Sequence, residues 1–166
     1  MKNIYLIGFM GSGKSSVGRC LSVTLNCNYV DTDAAVEAKY NKTIATIFSE
    51  EGESAFRSYE SVELREIPYN NCVVSTGGGI IKNHNNVEQM KDTGIIVYLA
   101  TSFEKIDNRL KTDLSRPLWN QNKQKQKQLF EERLDLYRSC ADITVLTDDK
   151  SLDDIVAEVR SYIVSE

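Results

Sequence analysis

The stretch "NIYLIGFMGSGKSSVG", residues 3–18, decides how the rest of this chain is read. Its opening "NIYLIGF" is a short apolar run with β-branched and aromatic residues, which predicts a strand buried on both faces. The centre, "GFMGSGKS" at residues 8–15, fits G-x-x-x-x-G-K-[ST] with no departure, and a helical pattern begins at its end. In that context the glycines let backbone N–H groups turn inward around phosphate oxygens, while the following helix adds the positive end of its dipole. Gly11, Ser12, Gly13, Lys14, Ser15 and Ser16 are therefore the expected ATP-binding cradle. Lys14 is expected to bridge the outer phosphates, and the Ser15 hydroxyl to ligate Mg²⁺. The motif implies a nucleoside triphosphate as ligand.

Four further apolar runs follow: "CNYV" (27–30), "CVVSTG" (72–77), "GIIVYLA" (94–100) and "DITVLT" (142–147). Helical patterns fall between them near 14–26, 34–40, 43–66, 83–92, 103–111, 126–139 and 151–163. Alternating strands and helices predict right-handed βαβ units. The expected fold is a three-layer αβα domain with a five-stranded parallel sheet. At 166 residues the chain suits a single domain, 1–166. The net charge of −4 argues against a general nucleic-acid binder, and no apolar run is long enough to span a membrane. The start "MKNIYLIGF" does not read as a signal peptide, and the four cysteines form no C-x-x-C pair. A cytoplasmic monomer with reduced thiols is expected.

A guanine-reading N-K-x-D is absent, which turns the reading from GTPase towards small kinase. A kinase also needs an acceptor pocket and an arginine that screens the transferring group. In a parallel sheet the ligands sit beyond the carboxyl ends of the strands. "DTD" (31–33) after the second strand and "STGGG" (75–79) after the third should therefore share a face with the phosphate loop. One aspartate can serve the metal and the other an acceptor hydroxyl. Helix capping accounts for Asp33 but leaves Asp31 unexplained. Arg57 and Arg133 each have local partners that suit an exposed position, yet together they could clamp an anionic acceptor. The stretch 114–128 is almost entirely polar after its first turn and carries Arg116 before Pro117. It is expected to dock weakly and to move, as a solvated connector or as a lid.

Six blocks in order then resemble the shikimate kinase family: "IGFMGSGKSSVGRCLS", "DTD", "IFSEEGESAFRSYE", "VVSTGGG", "RLKTDLSRPL" and "ERLDLYRSCAD". The resemblance implies Mg-ATP-dependent phosphorylation of the shikimate 3-hydroxyl, with a substrate-binding region at 31–63 and a lid at 110–126. It implies that Asp33, Arg57, Gly78, Gly79 and Arg133 hold shikimate and that Lys14, Asp33 and Arg116 are catalytic. Asp33 would be the base, Arg116 would join Lys14 on the phosphoryl group, and Arg109 would stack on adenine. Asp31 would support Mg²⁺ through water beside Ser15. The chain departs from the family at Ser139, where Glu is common, and at Trp119, where a smaller aliphatic residue is usual. No proline-bearing adenine loop is evident after the last strand. A related small-molecule kinase, such as a gluconate kinase, and a non-catalytic nucleotide-dependent module are the alternatives.

Overall fold

The computed structural model describes residues 1–113 and 119–164. Five parallel strands make one sheet in the order β2-β3-β1-β4-β5. They are β1 (Asn3–Ile7), β2 (Asn28–Asp31), β3 (Cys72–Ser75), β4 (Gly94–Ala100) and β5 (Ile143–Leu146). The period of two along β1 divides its side chains between two cores. Ile4 and Leu6 enter a cluster with Val17, Leu21 and Val159, beneath α1 (Lys14–Leu25) and α8 (Leu152–Val164). Tyr5 and Ile7 enter the opposite cluster with Met90 and Phe130, beneath α5 (His84–Thr93) and α7 (Lys123–Cys140). Both faces of the sheet are covered, as near-continuous apolar strands require. Among the described residues no helix is long and apolar enough to cross a membrane.

The connection after β1 runs through α1 to β2 on one side of the sheet, whereas the connection after β3 runs through α5 to β4 on the other. The strand order thus reverses between β1 and β3, which opens a crevice at their carboxyl ends. The Gly8–Gly13 turn and the Gly77–Gly79 turn flank it.

Two expectations change. The pattern at 43–66 is two helices, α3 (Ile44–Glu50) and α4 (Glu53–Glu66). They part at Gly52, whose φ of 88° and ψ of 170° are open only to glycine. With α2 (Thr32–Tyr40) they enclose a small core of Val36, Ile47 and Phe56. The second change concerns the polar stretch. Residues 114–118 lie outside the described part, but beyond them the chain is docked. Trp119 is only 4% exposed and packs on Phe103 of α6 (Phe103–Leu110), and α7 begins three residues before its apolar pattern suggests. One large indole supplies the burial that the surrounding amides and lysines cannot.

Candidate active site

The phosphate loop needs three positive φ angles, 148° at Gly8, 77° at Gly11 and 94° at Gly13, so it is built on residues without a Cβ. Gly13 is also the N-cap of α1 and offers no side chain to the first turn. Lys14 Nζ donates to the carbonyls of Gly8 and Phe9 at 2.8 and 3.0 Å, which folds its ammonium over the loop. Ser75 Oγ donates to the Lys14 carbonyl at 2.8 Å and ties the start of α1 to the end of β3. From α6, Arg109 Nη1 donates to the Gly11 carbonyl at 2.9 Å, so its guanidinium lies along the rim of the loop.

The two aspartates divide, though not as helix capping alone suggests. Asp31 is the N-cap of α2, and its Oδ1 accepts from the Asp33 and Ala34 N–H groups at 3.1 and 3.2 Å. Its Oδ2 accepts from the Ser15 hydroxyl at 3.0 Å and from the Tyr29 hydroxyl at 3.3 Å. Asp33 caps nothing: its Oδ1 is buried without a hydrogen-bond partner. Burial, and after it the charge of Asp31, pushes the Asp33 carboxyl above the usual range, while Lys14 and Arg57 pull it back. An unpaired buried carboxylate oxygen costs free energy unless something fills its place. Lys14, Ser15, Asp31, Asp33 and Gly78 line a common cleft of about 240 Å³.

Both arginines are in this region rather than on open surface. Arg57 Nη1 donates to Glu60 Oε2 at 2.9 Å, and its Nε and Nη2 reach Glu53 Oε1 at 3.3 and 3.4 Å. Arg133 is 8% exposed, with its guanidinium 5.9 Å from the centre of the Phe9 ring and Nε buried without a partner. The glycine run is where the groups meet. A Cβ at Gly77 would stand 2.4 Å from Glu60 Oε1 and 2.6 Å from Asp33 Oδ1. One at Gly79 would stand 2.3 Å from Arg57 Nη2, and one at Gly78 would stand 3.5 Å from Arg133 Nη1. Asp33, Arg57, Arg133 and Gly77–Gly79 thus converge beside the phosphate loop. Arg116 falls on residues outside the described part.

Three residues escape the sequence reading. Glu60 is fully buried between Arg57 and Asp33, and burial pushes its carboxyl up against the opposing pull of Arg57. Its spacing of three from Arg57 on a helix was the available signal. The Thr32 hydroxyl accepts from the Gly77 N–H at 2.9 Å and stitches the end of β2 to the glycine run. Tyr137 donates to the Gly78 carbonyl at 2.6 Å. No sequence pattern marks either of the last two, because both act across elements distant in the chain.

The donor set suits a hard divalent cation held mainly by nucleotide oxygens and water. Ser15 and Asp31 supply two oxygen donors in hydrogen-bond contact, and no group of three His, Cys, Asp or Glu side chains could hold a metal among the described residues.

Comparison with known proteins shows the family. The family model described as shikimate kinase matches residues 10–164. A shikimate kinase from Sulfurihydrogenibium sp. is 46% identical over 164 residues, covering 98% of each chain. One from Persephonella marina is 44% identical, covering 98% of this chain and 99% of that one. The solved structure of shikimate kinase from Acinetobacter baumannii in complex with shikimate superposes with a TM-score of 0.92 at 39% identity. That match covers 99% of this chain and 94% of the other. This chain belongs to the shikimate kinase family.

Proposed function

We propose that the protein transfers the γ-phosphoryl group of Mg-ATP to the 3-hydroxyl of shikimate, releasing ADP and shikimate 3-phosphate. The observation that carries the reading is the convergence of Asp33, Arg57 and Arg133 on the glycine run, whose Gly78 lines the same cleft as Lys14, Ser15 and Asp33. The two guanidiniums form the side of the cleft suited to the acceptor carboxylate, since each offers a planar fork of donors. Asp33 is placed to accept the proton of the attacking hydroxyl and to orient that oxygen for in-line attack. Its raised proton affinity makes it a stronger base than an ordinary exposed carboxylate. Lys14 and the P-loop N–H groups stabilise charge on the transferring group, and Arg109 lies where it can cover the nucleotide. Ser15, with Asp31 acting through water, would hold Mg²⁺, which draws charge from the β- and γ-phosphate oxygens when bound. Arg116 is assigned to the phosphoryl group by family resemblance. Four free thiols suit a reducing, cytoplasmic setting.

The test is ADP release by the purified protein with Mg-ATP, with and without shikimate. Release that depends on both shikimate and Mg²⁺ is expected. A folded protein that binds ATP yet shows no shikimate-dependent release excludes this function, and a panel of other small hydroxylated acids, gluconate among them, would then identify the acceptor.

A further inference from the structure

Tyr137 lies behind Gly78, on the same helix as Arg133 and one turn after it. It is 1% exposed, and its ring stacks on Tyr98 of β4 with centroids 5.1 Å apart. The hydroxyl donates to the Gly78 carbonyl at 2.6 Å, and the Arg133 charge lies close to the same phenol oxygen. A single helical turn therefore delivers two groups to Gly78, a neutral donor on its carbonyl and a guanidinium beside its Cα.

The peptide joining Gly78 to Gly79 is planar and trans, as are all peptide bonds among the described residues. Its C=O and N–H must then point in opposite directions. A carbonyl held towards the buried phenol turns the Gly79 N–H the other way, to the cleft side, where the Arg57 guanidinium lies against Gly79. That N–H makes no hydrogen bond among the described residues. Glycine imposes little on this peptide, because without a Cβ it can rotate through conformations closed to other residues. Something outside the run has to fix it.

We infer that Tyr137 is a positioning residue for the acceptor: its hydroxyl fixes the Gly78–Gly79 peptide and so aims the Gly79 N–H at the acceptor in the cleft. This rests on the reading of the cleft as the shikimate site. Tyr137 does not touch the acceptor. It sets the direction of a donor that does, and because Arg133 stands on the same helix, the guanidinium anchor and the backbone donor are placed by one rigid element.

Steady-state kinetics of wild type, Tyr137→Phe and Tyr98→Phe separate this from a packing role. Tyr137→Phe should raise the shikimate KM roughly three- to tenfold, the equivalent of one neutral hydrogen bond, and leave the ATP KM unchanged. Tyr98→Phe removes a hydroxyl from the same ring stack and should leave both KM values unchanged. A shikimate KM unaltered in Tyr137→Phe, or a fall in kcat with no change in KM, overturns the proposal. Should Tyr137→Phe not fold, ¹⁵N-glycine-labelled wild type provides the measurement: the Gly79 amide resonance should shift on adding shikimate, and an unmoved resonance overturns it. Wild type that shows no turnover of shikimate would instead refute the acceptor assignment, which these arms report separately.

Discussion

Gly79 shows how much of this site depends on one missing methyl. Its φ of −102° is ordinary, so the demand there is for space and not for backbone freedom. The atom that a Cβ would meet, Arg57 Nη2, is the far end of a long side chain. Gly79→Ala should therefore displace the guanidinium while leaving the turn and α4 in place. The expected result is a folded protein with a lowered melting temperature, because moving the guanidinium also loosens its pairing with the buried Glu60 carboxylate. The shikimate KM should rise about tenfold or more, as when one charged hydrogen bond of about 1.5–3 kcal/mol is misplaced, at an unchanged ATP KM. An unaltered shikimate KM would show that Arg57 is no acceptor anchor. The run "STGGG" was legible in the sequence as part of the ligand face. What approaches it was not, because Glu60, Asp33, Arg57 and Arg133 come from three separate helices.

Among the elements, the strands were readable and the helix ends were less so. Continuous apolar runs mark strands covered on both faces, and all five stand where those runs fall. The break between α3 and α4 was hidden because the apolar spacing on either side reads as one continuous helix, and only the conformation of Gly52 separates the two. The start of α7 was hidden for another reason, since composition weighs residues one by one and misses a clasp. Trp119 Nε1 donates to Asp107 Oδ1 at 2.9 Å, and Lys123 Nζ pairs with Asp107 Oδ2 at 2.6 Å, so α6 holds the root of α7. Lys123, and after it the Trp119 donor, holds the Asp107 carboxyl below its ordinary range, with Lys111 adding a smaller pull. A carboxyl depressed in the folded state stabilises the clasp above the ordinary Asp value of about 3.9, and that contribution is lost as pH falls through the lower folded value. Trp119 is the chain's single tryptophan, so its emission reports the clasp directly. The emission should be blue-shifted at neutral pH, red-shifted at neutral pH in Asp107→Ala, and nearly unshifted in Asp107→Asn, which keeps an acceptor for the indole. Identical spectra for Asp107→Ala and wild type would exclude the clasp.

The whole molecule turns the strand order β2-β3-β1-β4-β5 into a charged crevice at its point of reversal. That much of the site follows from topology; the parallel βα alternation was legible once the phosphate loop fixed the first βα unit, whereas the strand order was not, because it depends on pairing between strands distant in the chain. The balance of charge within the crevice was not, because it depends on burial. Asp33 and Glu60 are both raised by burial; the charge of Asp31 pushes Asp33 further up, and the charge of Asp33 does the same to Glu60. Arg133 carries a buried donor without a partner, and Asp33 an acceptor in the same condition. On the proposed reading these groups await an anionic, hydroxyl-bearing acceptor and a nucleotide, so ligands should relieve the electrostatic cost that folding imposes. A ligand that binds only the folded state, present at a hundred times its Kd, adds about 2.7 kcal/mol. For a chain of this size that corresponds to roughly 5–10 °C in Tm. Shikimate alone should therefore raise Tm, Mg-ATP alone should raise it independently, and the two together should raise it by more than either. Chelating the metal should reduce the nucleotide's share and leave the shikimate share intact, because the proposed metal ligands, Ser15 and Asp31, are distinct from the proposed acceptor anchors, Arg57 and Arg133. A Tm that responds to Mg-ATP and not to shikimate would mean that the buried charges of the acceptor side are balanced within the protein itself, with no ligand needed to complete them.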